Sequence, residues 1–142
     1  MALVTEYKGF LNGMMINNIL PLLSGVVVGI ILFQTAVVAP TVFKGLGADN
    51  AGPFLRQVFP KFFAILMMVG IVKVILATAV ADVPEIWVAG STFLLAGLSY
   101  RLIPKTNKAR DEGNESVFKK LHFASVLMTV IMLIMNAGSI AL

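Results

Sequence analysis

Residues 117–136 read VFKKLHFASVLMTVIMLIMN, and the way this stretch is read decides the fold. Two lysines and the chain's one histidine open it, and from Leu121 to Leu142 the composition is overwhelmingly apolar. A run of this length is what a helix needs to cross a hydrocarbon core of roughly 30 Å at about 1.5 Å per residue. The polar residues inside it are not scattered. His122, Ser125, Thr129, Met132, Asn136 and Ser139 follow at spacings of three and four, which puts them on one face of a helix and leaves Leu127, Val130, Ile131 and Ile134 for lipid. The spacing predicts a polar seam turned toward other helices, with His122 at its mouth beside Lys119 and Lys120.

Three further runs of the same kind precede it. Together the four predicted spans are about 14–38, 62–80, 86–103 and 121–142, within one domain covering residues 1–142. The whole chain has 58% apolar and only 13% charged residues and a mean hydropathy of +0.93, against roughly one quarter charged in a soluble domain. The expected fold class is therefore all-α, an integral membrane four-helix bundle of two helical hairpins. The first run differs from a cleavable leader, because Lys8 is balanced by Glu6 and the apolar part exceeds a leader's usual length. It is expected to be a retained helix.

Threading follows from charge. The segments 40–61 and 104–120 carry Lys44, Arg56, Lys61, Arg101, Lys105, Lys108, Arg110, Lys119 and Lys120 at or near their ends, nine of the 11 basic residues. The positive-inside rule makes these two segments cytoplasmic and both termini extracytoplasmic, as expected for a bacterial inner membrane. Asp49, Asp111, Glu112 and Glu115 intersperse the cations, so the net charge of +4 reads as a topology and headgroup signal, not a nucleic-acid surface. The two halves echo each other faintly, each running from an apolar helix through a proline (Pro40, Pro104) to a Phe-rich basic segment and a second apolar helix.

Residues costly to place in lipid mark the candidate site. Lys73 sits inside the second span, about 10 Å from its outer end at 1.5 Å per residue, with Asp82 and Glu85 as its expected partners. Gln34 and Ser24 add polar groups to the first span, where Gly25 and Gly29 form a GxxxG pattern suited to close helix packing. The candidate polar seam or ligand site is thus His122, Ser125, Thr129, Asn136, Lys73 and Gln34. No catalytic residue is assigned. The chain lacks HExxH, GxSxG, phosphate-loop and dinucleotide patterns, and no third group orients Ser125 and His122.

With no cysteine, thiolate chemistry and cysteine-ligated metals are excluded, and one histidine cannot supply a bis-histidine haem within a protomer. Met128, Met132 and Met135 are expected as core fillers, and no metal site and no cofactor are predicted.

Several of these residues also carry a resemblance. Gln34, Val38-Ala39-Pro40 and Phe43; Gln57, Phe59-Pro60 and Phe62-Phe63; Pro104, Asn107, Arg110 and Asp111; and Phe118, Leu121-His122, Ser125 and Asn136 together resemble the membrane family named after transmembrane protein 205, a domain of unknown function. The resemblance runs from about Gly29 to Gly138. It implies a four-span helical protein with the histidine at a family motif position, and no settled reaction. The family often has asparagine where this chain has Thr129. The size and helical plan are more distantly similar to copper-resistance D proteins and membrane-bound protoporphyrinogen oxidases, whose chemistry relies on more histidines than this chain has.

The function expected from these readings is that of an accessory or scaffolding membrane component, packing against itself or another membrane protein within the lipid bilayer, with no nucleic-acid partner. The alternative is passage of a small solute or proton through an oligomeric bundle. A metal- or haem-binding redox role ranks behind both.

Overall fold

A computed structural model describes residues 2–141, and the side chains of all of these except 2–8, 10–12, 48 and 49. The side chains of Glu6, Lys8 and Asp49, which entered the charge argument, therefore lie outside the described residues. The described residues are helical apart from two short turns, with no strand among them. Helix α1 is Ala2–Leu32, a π-helical segment is Phe33–Val38, and α2 is Ala39–Ala79, α3 Val83–Asp111 and α4 Glu115–Ala141. Four stretches are long and apolar enough to cross a membrane: Gly13–Gly47, Asn50–Ala79, Val83–Asp111 and Glu115–Ala141.

The helices outrun the apolar segments that announce them. Residues 40–61 and 104–120, expected as loops, are helical except around Gly47 and at Glu112–Asn114. Hydropathy marks where a chain leaves lipid, whereas a helix ends where its backbone is stopped. Gly47 is such a stop, since φ 70° and ψ 168° are tolerated essentially only by glycine. Pro40 lies within the first turn of α2, where its missing N–H costs little. The wide π turns just before it relieve the clash a proline ring makes with the preceding turn.

Two short turns join the later helices by one device. After α2, Ala81 takes φ 55°, its N–H meets the Thr78 carbonyl at 3.2 Å, and the Asp82 N–H meets Ala77 at 3.0 Å. After α3, Gly113 takes φ 66°, with Gly113 on Arg110 at 3.2 Å and Asn114 on Ala109 at 2.9 Å. Both are Schellman closures that satisfy the last free carbonyls of a helix. In each, the residue that finishes one helix also caps the next: Asp82 accepts the Glu85 N–H at 3.1 Å, and Asn114 accepts the Val117 N–H at 3.2 Å.

Around the bundle, α2 packs on α3, α3 on α4, α4 on α1 and α1 on α2. The core cluster is Val27, Ile31, Phe62, Phe63, Leu66, Ala96 and Met132, drawn from all four helices. A smaller cluster of Val42, Ala51 and Leu55 closes the angle at Gly47. The closest approach is between α2 and α3. A Cβ on Gly70 would stand 2.9 Å from the Phe93 backbone nitrogen, so only glycine fits. Outside the core, Met68, Ile75, Trp87, Phe123 and Ile134 are among many large apolar side chains left exposed, the surface that a hydrocarbon solvent accepts.

Candidate functional site

Each helix turns a stripe of mixed residues inward at spacings of three and four. On α1 the buried positions are Leu20, Ser24, Val27 and Ile31, continued by Gln34; on α2 they are Phe62, Leu66, Gly70, Lys73 and Ala77. On α3 they are Glu85, Ala89, Thr92, Ala96 and Ser99, and on α4 Thr129, Met132 and Asn136. The alanines of α3 allow its neighbours close enough for short polar side chains to meet. Polar residues from all four helices consequently meet in one layer.

The layer nearest the α2–α3 turn is built around Lys73, whose side chain is 0% exposed. Its Nζ lies 3.0 Å from Glu85 Oε2 and donates to Ser24 Oγ and, at 3.2 Å, to Asn136 Oδ1. The ammonium therefore has three oxygen neighbours, one from each of the other helices. Glu85 Oε2 makes no contact of hydrogen-bonding geometry, and the Lys73 ammonium holds it by charge, as an ion pair. The other carboxylate oxygen, Oε1, accepts from Ser139 Oγ. Ser24 and Ser139 hydroxyls are 3.0 Å apart. Because Ser139 gives its proton to Glu85, the proton between the serines must come from Ser24. The result is a closed ring in which two paths run from the Lys73 ammonium to the Glu85 carboxylate, one direct and one through the Ser24 and Ser139 hydroxyls, each hydroxyl donating toward Glu85.

Asn136 ties this ring to the bundle floor. Its Nδ2 donates to Thr92 Oγ1 at 2.8 Å and to the Met132 carbonyl at 2.9 Å, while Thr92 donates to the Val88 carbonyl at 2.8 Å. An ammonium and a carboxylate removed from water are tolerable only when paired and hydrogen-bonded; Lys73 and Glu85 are paired, and hydrogen bonds reach the ammonium from two sides and one of the two carboxylate oxygens. On the side away from the α2–α3 turn, the apolar core cluster lies directly against Asn136 through Met132.

The structure brings Lys73 and Asn136 together and leaves the other predicted positions apart. Of Lys73's two expected partners, Glu85 reaches it, whereas Asp82 is spent as the cap of α3. Thr129 is buried, but its hydroxyl turns back to the Ser125 carbonyl at 2.8 Å; Ser125 itself is half-buried. His122, expected to open the inward seam, is exposed instead and stacks on Phe118 with ring centres 5.7 Å apart. His122 lies in the first turns of α4, at the basic end of the bundle, where the neighbouring helices do not cover that face.

Gln34 lies in the π segment, 6% exposed, with its Nε2 lacking a hydrogen-bond partner. Gly25 and Gly29 do not mediate close packing within the chain: a Cβ on Gly25 would be 4.0 Å from the Ile140 side chain, and one on Gly29 would meet nothing within 4 Å. Gly70 holds that role.

Thr92 and Ser99 were not legible as interior polar groups, and Glu85 was legible only as a residue at the membrane edge. Their signal was the heptad 85, 92, 99 with Ala89 and Ala96 between, a pattern hidden in a helix whose polar residues look evenly spread. Ser99 finds only the Met128 sulfur, at 3.8 Å. Among the described residues, no three His, Cys, Asp or Glu side chains gather as metal ligands would. Two hollows open on the outer surface, one of about 270 Å³ beside Trp87, Gly90 and Leu94, the other of about 350 Å³ beside Met68, Phe93 and Tyr100; no residue of the polar ring lines either.

Neither a curated protein nor a solved structure matches the chain. A family match does exist, over residues 22–115, which takes in Ser24, Gln34, Lys73, Glu85 and Thr92 and stops at the start of α4, short of His122, Thr129 and Asn136. With about two thirds of its length matched, the chain belongs to the family described as a domain of unknown function, DUF4149.

Proposed function

We propose that this protein is an accessory or scaffolding component of a bacterial inner membrane, acting by packing against itself or another membrane protein and not by catalysis. It takes no cofactor on this reading. Its four helices cross the bilayer as two hairpins in one domain, with the basic segments 40–61 and 104–120 in the cytoplasm and both chain ends outside, in the manner of the transmembrane protein 205 family it resembles. The observation that carries the proposal is the closed ring: Lys73, Glu85, Ser24, Ser139 and Asn136 satisfy one another across all four helices. A buried charge used this way fixes how helices pack and leaves the outward apolar faces as the working surface.

The same ring favours one rival, proton passage. Two serine hydroxyls connect an ammonium to a carboxylate, which is the chemistry of a proton relay. Against it stands the apolar cluster of Val27, Ile31, Leu66 and Met132 between the ring and the basic end. Reconstitution into liposomes with an internal pH dye separates the two. The scaffold reading expects wild type and Lys73→Met to hold an imposed proton gradient equally well. A gradient that wild type collapses and Lys73→Met preserves would overturn it in favour of transport.

A further inference from the structure

Across the bundle from the polar ring, α3 and α4 place an aromatic and two nitrogen-bearing side chains together at the basic end. The Arg110 guanidinium lies over the Phe118 ring, 4.8 Å from its centre, and His122 stacks on the same ring at 8° between planes. Three of the neighbouring cations are paired with carboxylates. Arg56 chelates Asp111, Lys108 lies 3.7 Å from Glu112, and Lys119 lies 3.8 Å from Glu115. Arg110 has no carboxylate partner among the described residues, so its orientation comes from the ring, and the carboxylates beside it are already engaged by other cations. An aromatic platform leaves the edge donors of a guanidinium free for a planar or tetrahedral anion.

What lies below the stack identifies the anion's carrier. His122, Val126 and Val130 share one face of α4 at intervals of four, with Phe123 alongside. Phe123 is 66%, Val126 43% and Val130 42% exposed, so apolar surface begins one turn below the imidazole. A cationic group set immediately above an uncovered hydrocarbon face has the polarity of a phospholipid, headgroup above and acyl chain below.

We propose that the Arg110–Phe118–His122 stack holds the headgroup phosphate of an anionic phospholipid, one acyl chain of which lies along Phe123, Val126 and Val130. Arg110 supplies the charge and paired N–H donors, the imidazole supplies a further N–H, and Phe118 fixes the position of both. The proposal is independent of the scaffold reading, because it concerns the lipid-facing side of α3 and α4 and not the interior.

The test is native mass spectrometry of the delipidated full chain in detergent, titrated with an equal mixture of phosphatidylglycerol and phosphatidylcholine. Wild type is expected to retain one phosphatidylglycerol per chain in preference to phosphatidylcholine. Arg110→Gln should weaken that retention about tenfold, the loss of one charge-assisted hydrogen-bonding group. His122→Phe, which keeps the stack and removes the N–H, should weaken it by a smaller factor. Lys105→Gln is the control for diffuse charge: it removes one cation five residues away, on the opposite side of α3, and should leave retention within about twofold. Thermal melting in the same detergent checks that each variant is folded. Equal weakening by Arg110→Gln and Lys105→Gln, retention of both lipids alike, or displacement of the lipid by soluble glycerol 3-phosphate would each overturn the proposal.

Discussion

Lys73 is the residue on which the interior depends. It is among the largest fully buried side chains of the protein, and it is charged. Removing one member of a buried ion pair leaves the other without compensation, so Lys73→Met and Glu85→Gln should each destabilise the bundle by about 3–5 kcal/mol. The double variant should lose clearly less than the two losses added, because neither charge then remains to be stranded. Chemical unfolding in detergent, followed by circular dichroism, reads all four proteins of that cycle; strict additivity would mean that the pair carries no coupling. Lys73 was legible in the sequence for a simple reason: a lysine in the middle of an apolar run is conspicuous. Its serine, threonine and asparagine partners were not, since such residues are common in membrane helices and only packing determines which of them meet. The exposure of His122 was not legible because spacing places a residue on a helix face and packing alone determines how far along the helix that face stays covered.

The helices themselves were the most legible feature, and their ends the least. Apolar length fixed four spans, yet the segments beyond them stayed helical until Gly47 or a Schellman turn stopped them. Glycine placement illustrates the same limit. The visible GxxxG of α1 touches almost nothing, while Gly70, with no motif around it, marks where the α2 and α3 backbones approach. Gly70→Ala should therefore cost about 1–3 kcal/mol as the two helices are forced apart. Gly29→Ala should change stability by no more than about 0.5 kcal/mol. Thermal melting of the two variants side by side checks this, and equal losses would show that the close approach at Phe93 is not what sets the helix spacing.

For the whole molecule, an interior closed by its own polar groups is surrounded by extensive exposed apolar surface. On the proposed reading, the charge asymmetry of the chain puts the basic segments in the cytoplasm. Because the sequence has no cysteine, single cysteines can report it without background. Ser116→Cys should resist a membrane-impermeant maleimide added to intact cells with a permeabilised outer membrane, and Val83→Cys should react; the opposite pattern would reverse the topology.

The most direct test of the central claim, that this closed bundle works by packing, is native mass spectrometry of the protein released gently from its own membrane. A defined assembly larger than one chain, homomeric or mixed, is the predicted result. A lone protomer released under conditions that keep known membrane complexes intact would contradict it.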